Sequence, residues 1–124
     1  MPKTVLVVDD SKSVRAVIGT TLQVAGYNVL QACDGQEGLE ILSSGNDQVE
    51  LIITDLNMPN LDGLSFIQEI KKLDNYSSTP ICMLTTESEQ SKLEEGNTVT
   101  TDAWITKPVQ PAHVINIVTG LLPP

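Results

Sequence analysis

Basic residues are scarce in this chain. Seven Lys and Arg face sixteen Asp and Glu, for a net charge of −9. Such a field repels a phosphate backbone and argues against direct nucleic-acid binding. It favours metal cations and cationic partners instead. Histidine is reduced to His113 alone, and the two cysteines, Cys33 and Cys82, form no CxxC pair. A Cys/His zinc centre is therefore out of reach. Both cysteines lie in apolar, strand-like runs and read as buried thiols of a cytosolic protein. Long hydrophobic runs are missing, so no segment is expected to span a bilayer. The N-terminus, Met1-Pro2-Lys3-Thr4 before Val5, lacks the apolar stretch of a signal peptide. The expected location is the cytoplasm, with no membrane contact. No internal repeat, low-complexity tract or linker divides the chain.

What is present suits one domain over residues 1–124. Hydrophobic residues make up 40%, enough for a core without disulfides, and the mean hydropathy is +0.01. Val5-Leu6-Val7-Val8 is a short, continuous, β-branched run that stops at Asp9-Asp10. Such a run predicts a strand buried on both faces of a parallel sheet. Similar runs recur at Tyr27 to Ala32, Leu51 to Thr54, Ile81 to Leu84 and Ala103 to Ile105. Between them the period lengthens to that of helices. Ser11 is the expected N-cap of a helix bearing Val14, Val17, Ile18, Leu22 and Ala25, with Gly26 as its stop. Asp34-Gly35-Gln36-Glu37 has the form of a capping box. Asp62-Gly63 turns into a helix with Leu64, Phe66, Ile67 and Ile70, and Pro111 opens the last helix. From Glu87 to Asp102 the residues are poor helix material, so a short or frayed fourth helix is expected. Strand and helix alternate five times, which predicts an α/β, doubly wound domain.

In open α/β sheets the chemistry sits beyond the carboxyl ends of the strands. The first strand ends in Asp9-Asp10, the third in Asp55, the fourth in Thr85-Thr86 and the fifth in Lys107-Pro108. Singly, each has an ordinary explanation: a helix cap, a loop acid, a strand-end hydroxyl, a surface lysine. Jointly, each ends a different strand. If the first and third strands are neighbours, three carboxylates converge, and they cannot all stay ionised without a cation. Mg²⁺ takes one or two carboxylates, waters and phosphate oxygens. With Lys107 opposite and Thr85 as a hydroxyl donor, the set could receive a phosphoryl group on a carboxylate oxygen.

These residues resemble a known family. Val8-Asp9-Asp10, Asp55-Leu56-Asn57-Met58-Pro59-Asn60-Leu61-Asp62-Gly63, Leu84-Thr85-Thr86-Glu87 and Lys107-Pro108 look like the receiver domain of two-component response regulators, and most like its stand-alone chemotaxis (CheY-like) members. The resemblance covers essentially the whole chain. It implies a (βα)5 flavodoxin-like domain with strand order 2-1-3-4-5. It implies that Asp55 is the phosphoacceptor, charged by a sensor histidine kinase or phosphotransfer protein. Asp10 and Asp55 would hold Mg²⁺ directly, Asp9 mainly through water, and the backbone carbonyl of Asn57 would complete the ligands. Lys107 would pair with the phosphoryl group and Asp55. Thr85 and Trp104 would form the switch, and Asn57 and Glu87 would tune the phosphate lifetime. Pro108 would follow a cis peptide bond.

The resemblance also implies a monomeric signalling switch that is not an enzyme in the ordinary sense. Its output would be the face of the fourth helix, fifth strand and last helix, read by a downstream protein, with a flagellar motor switch as one candidate target. Phosphorylation would draw in the Thr85 hydroxyl and let Trp104 turn inward, a population shift between two states. The Thr-rich segment 98–101 and Val109 depart from the family pattern on this expected output face. Three other functions fit less well. An Asp-dependent phosphohydrolase needs an Asp-x-Asp and a cap, and a flavin-binding domain would not set carboxylates against FMN. An unphosphorylated interaction module would not need the full set of acids, hydroxyl and lysine.

Overall fold

The computed structural model describes residues 2–45, 48–86 and 101–124. Five strands, β1 (Thr4–Val8), β2 (Asn28–Ala32), β3 (Leu51–Asp55), β4 (Ile81–Thr85) and β5 (Ala103–Thr106), form one parallel sheet in the order β2-β1-β3-β4-β5. The helices are α1 (Lys12–Val24), α2 (Gly35–Ser44), α3 (Gly63–Lys71) and the C-terminal α4 (Pro111–Leu121), with a 3₁₀ turn at Asp74–Tyr76. The expected order is thus found. The frayed helix expected between Glu87 and Asp102 lies, up to residue 100, outside the described residues.

Alternation along the strands divides the interior in two. Val5, Val7, Ile53, Leu84 and Ile105 face Ile18 and Leu22 of α1 and Val114 and Val118 of α4. Leu6, Val8, Ile52 and Met83 face Leu42 of α2 and Phe66, Ile67 and Ile70 of α3. Each such side chain contributes about 1.5–3 kcal/mol when fully buried, so both faces of the central strands are strongly specified. β1, β3 and β4 are accordingly buried almost throughout.

Two expectations are corrected. β2 and β5 are not buried on both faces, because they are the sheet edges and lack a neighbour on one side. Cys82 is buried, but Cys33 is exposed, since it lies just past the end of the edge strand β2.

The helix starts follow the expected caps. Ser11 Oγ accepts from the Val14 amide at 3.4 Å, Asp34 Oδ1 from Glu37 at 2.8 Å and Asp62 Oδ1 from Ser65 at 2.9 Å. The capping box differs in one detail. Glu37 reaches back to the Cys33 amide, at 3.1 Å, one residue beyond the N-cap. Gly26 ends α1 with φ of +101°, where a side chain would be strained. Pro111 opens α4 as expected. These starts set α1 just past Asp9-Asp10 and α3 eight residues past Asp55, so both loops lie at the same edge of the sheet.

Candidate functional site

β1 and β3 are neighbours, with Val8 opposite Thr54. Asp9 and Asp55, each one residue further on, therefore emerge side by side. One carboxylate oxygen from each of Asp9, Asp10 and Asp55 lies within 4.8 Å of the others. Asp9 is fully buried, Asp55 is 5% exposed and Asp10 is exposed. The cluster thus has a buried floor and an open rim.

Two of the acids are held by backbone amides that follow them in the chain. Asp9 Oδ1 accepts from the Ser11 amide at 2.8 Å, and its carbonyl accepts from the Arg15 guanidinium. Asp55 Oδ1 accepts from the Leu56 amide at 2.9 Å and from Lys107 Nζ at 3.0 Å. Lys107 Nζ is also 3.6 Å from Asp9 Oδ2. The lysine arrives there because its amide donates to the Thr85 carbonyl at 2.8 Å, which continues the β4–β5 pairing past the strand end. The Lys107–Pro108 peptide is cis, as expected.

Electrostatics follow from this crowding. Burial pushes the Asp9 carboxyl above its usual value; the Ser11 amide and Lys107 oppose this, while the charges of Asp55 and Asp10 reinforce it. For Lys107, burial works against the ammonium. The hydrogen bond and charge of Asp55, with Asp9 behind, outweigh it and hold the lysine pKa above the ordinary value.

Asp9 Oδ2 has no hydrogen-bond partner although it is buried. A buried carboxylate oxygen with no hydrogen bond, and only the longer ion pair to Lys107 at 3.6 Å, is incompletely compensated. A hard divalent cation among three oxygen donors would compensate it, and the all-oxygen ligand set suits Mg²⁺ rather than a thiophilic metal. The residues present therefore fit such an ion.

Thr85 is fully buried at the end of β4, where its hydroxyl donates to the Thr86 carbonyl at 3.2 Å. Met83 pairs with Trp104 and Thr85 with Thr106. By alternation, Thr85 lies on the same sheet face as Trp104, one step further along the sheet. Trp104 is half-buried and packs on the α2/α3 side of the core. Val109 is half-buried and packs against the α1/α4 side of the core. Asn57 lies in the β3–α3 loop; Glu87 and residues 98–100 lie outside the described residues. Asp102 is firmly tied: its amide donates to Ile81 O at 2.9 Å and its carboxylate accepts from the Ile81 amide at 2.8 Å.

Sequence reasoning did not single out three contributors. Arg15 stands in the early part of α1, where the helix dipole disfavours a cation; that misplacement was the available signal. Asn60, with φ of +67°, donates to Asp34 Oδ2 at 2.6 Å and ties the β3–α3 loop to the start of α2. Together with the Glu37 amide, this bond holds the Asp34 carboxyl below its usual value. Thr54 is a polar residue inside an apolar run, and its hydroxyl donates to the Asp55 carbonyl at 3.0 Å.

Comparison with known proteins agrees with this fold. The family model for the response regulator receiver domain matches residues 5–119. The chain is 39% identical over 110 residues to the probable transcriptional regulator ycf27 of Porphyridium aerugineum, covering 89% of this chain and 44% of that protein. It is 36% identical over 107 residues to a chemotaxis protein CheY homolog of Campylobacter jejuni, covering 86% of this chain and 82% of that one. The chain thus spans under half of the ycf27 relative and most of the CheY homolog. The solved structure of the chemotaxis response regulator CheY4 of Vibrio cholerae superposes with a TM-score of 0.87 at 38% identity, covering 98% of this chain and all of that one.

Proposed function

This chain belongs to the family of response regulator receiver domains and is CheY-like, and from that premise we propose that it is a phosphorylation-activated switch with Asp55 as its phosphoacceptor. The single observation that carries the reading is the convergence of Asp9, Asp10 and Asp55 opposite Lys107. Receiver domains are signalling domains of two-component systems, not enzymes in the ordinary sense.

In the proposed reaction an Asp55 carboxylate oxygen attacks the phosphorus of a phosphohistidine. A new O–P bond forms, the N–P bond breaks, and the imidazole leaves and takes up a proton. The donor is a sensor histidine kinase or phosphotransfer protein. Lys107 neutralises negative charge on the acceptor and the incoming phosphoryl oxygens. Asp9 and Asp10, with Asp55 and the Asn57 carbonyl, would hold Mg²⁺, which when bound screens the phosphoryl charge from the acids. Ser11 and Arg15 keep Asp9 in place, and the Leu56 amide orients Asp55.

The output is proposed to run through Thr85 and Trp104. Phosphorylation adds about two negative charges and new acceptor oxygens, which draw the Thr85 hydroxyl toward the site. Trp104, next to Thr85 on the same face, repacks, and the surface around β5 and α4 changes for a downstream protein, with a flagellar motor switch as one such target. We further read residues 1–124 as one receiver domain acting as a cytoplasmic monomer. No helix among the described residues is long and apolar enough to cross a membrane.

The test is direct. Mg²⁺ followed by acetyl phosphate should change the fluorescence of Trp104, the single tryptophan, and place a phosphoryl group on Asp55. Asp55→Asn should fold normally and lose both responses. An Asn variant that responds like the parent sinks the assignment.

A further inference from the structure

We infer that Thr54 is a positioning residue for Asp55, its buried hydroxyl fixing the Asp55–Leu56 peptide and, through that peptide, the carboxylate of Asp55. The inference rests on the reading of Asp55 as phosphoacceptor and adds a residue to it.

Pairing across the sheet places Ala32, Val8, Thr54, Met83 and Trp104 in one row. Thr54 is the one hydroxyl in that row, and it is completely buried. A valine of the same shape would carry no hydroxyl to desolvate, so packing alone does not account for a threonine here. The hydroxyl has a defined partner. Thr54 Oγ1 donates to the Asp55 carbonyl at 3.0 Å. The Leu56 N–H, at the other end of the same peptide plane, donates to Asp55 Oδ1 at 2.9 Å. A peptide plane is rigid, so a rotation that releases one bond strains the other.

The surroundings close the remaining side. A Cβ on Gly63 would stand 2.3 Å from the Asp55 carbonyl oxygen, and the Gly63 amide donates to Leu56 O at 2.8 Å. Thr54 therefore sets the tilt of the peptide whose N–H aims the reacting carboxylate. Transfer needs a near-attack geometry, and small losses of alignment slow it.

Three variants of the full chain test this: Thr54→Val, Thr54→Ser and Thr54→Ala. Each is read by its melting temperature, by amide exchange at Leu56 in metal-free protein by NMR, and by the rate of Trp104 fluorescence change with Mg²⁺ and acetyl phosphate. Thr54→Val is expected to melt at or above the parent temperature. Its Leu56 amide should exchange, and its phosphorylation should slow, by on the order of three- to tenfold, the worth of one hydrogen bond. Thr54→Ser should restore both readings, and the Ser against Ala comparison isolates the hydroxyl if Val folds poorly. Parent-like exchange and rate in Thr54→Val, or equal behaviour of Ser and Ala, overturns the role of Thr54 alone. A parent that takes up no phosphoryl group overturns the phosphoacceptor reading, and this inference with it.

Discussion

Gly63→Ala puts a single methyl group against the backbone of the candidate phosphoacceptor. The added Cβ would lie 2.3 Å from Asp55 O, 2.9 Å from Leu56 Cα and 3.1 Å from Leu56 O. Ordinary contact begins at 3.4 Å, so the worst approach falls short by 1.1 Å. All three neighbours are backbone, and no side chain can swing aside. Either the end of β3 or the start of α3 must move by about 1 Å, which stretches the 2.8 Å bond from the Gly63 amide to Leu56 O. Overpacking of this kind and a weakened hydrogen bond together cost about 2–4 kcal/mol. In a domain of this size that lowers the melting temperature by roughly 10 °C or more.

Gly120→Ala is the matched control. It sits in α4 with nothing within 4 Å of an added Cβ and no strained φ. Here the same methyl removes only the glycine penalty and should stabilise by about 0.5–1 kcal/mol. Thermal melts of both variants in metal-free buffer give opposite signs if the reasoning holds. Gly63→Ala should also react more slowly with acetyl phosphate, because the displaced carbonyl belongs to the peptide whose N–H orients the Asp55 carboxylate. A Gly63→Ala protein that melts within about 2 °C of the parent would refute the close-approach account.

Asp9→Asn should stabilise the metal-free protein at neutral pH by on the order of 1 kcal/mol, since it removes a buried charge crowded by two like charges. It should lose part of the stabilisation that Mg²⁺ confers, which reaches about 2.7 kcal/mol at a hundredfold excess over the dissociation constant. Melts with and without Mg²⁺ decide both, and a less stable metal-free variant contradicts them. Because the folded pKa of Asp9 lies above its unfolded value, the folded state holds the proton more tightly. Metal-free stability should therefore fall as pH rises from 3.8 through the raised pKa. Mg²⁺ affinity should weaken as pH is lowered through the same window, as a fluorescence titration would read. Asp34→Ala removes the α2 cap and the link to Asn60, costing about 1–3 kcal/mol in urea melts. Asp34 has a lowered folded pKa, so this gap should persist above pH 3.8 and narrow as pH falls further.

Much of this was legible in order along the chain. The strand cores, the caps at Ser11, Asp34 and Asp62, and the polar residues at each strand end follow from short-range pattern. Period, cap chemistry and abrupt polarity changes are local properties. Edge status was not legible in the local pattern and came only with the family resemblance: β2 and β5 are apolar enough to resemble central strands, and Cys33, just past the edge strand β2, is exposed. The roles of Arg15, Asn60 and Thr54 were also hidden, because Arg15 and Thr54 act on backbone carbonyls and Asn60 on the Asp34 carboxylate, partners that sequence spacing does not locate.

The residue order by itself determined an alternating α/β chain with acids, a hydroxyl and a lysine at the strand ends. It determined this because side-chain polarity alternates with the backbone period wherever one face or both must be dry. Local pattern left the pairing of β1 with β3 to the family resemblance, and the tertiary structure alone decided that Asp9 rather than Asp10 is the buried acid and that Lys107 reaches Asp9 as well as Asp55. Those facts depend on strand pairing and desolvation between segments dozens of residues apart, and no local pattern encodes the distance between two carboxylates.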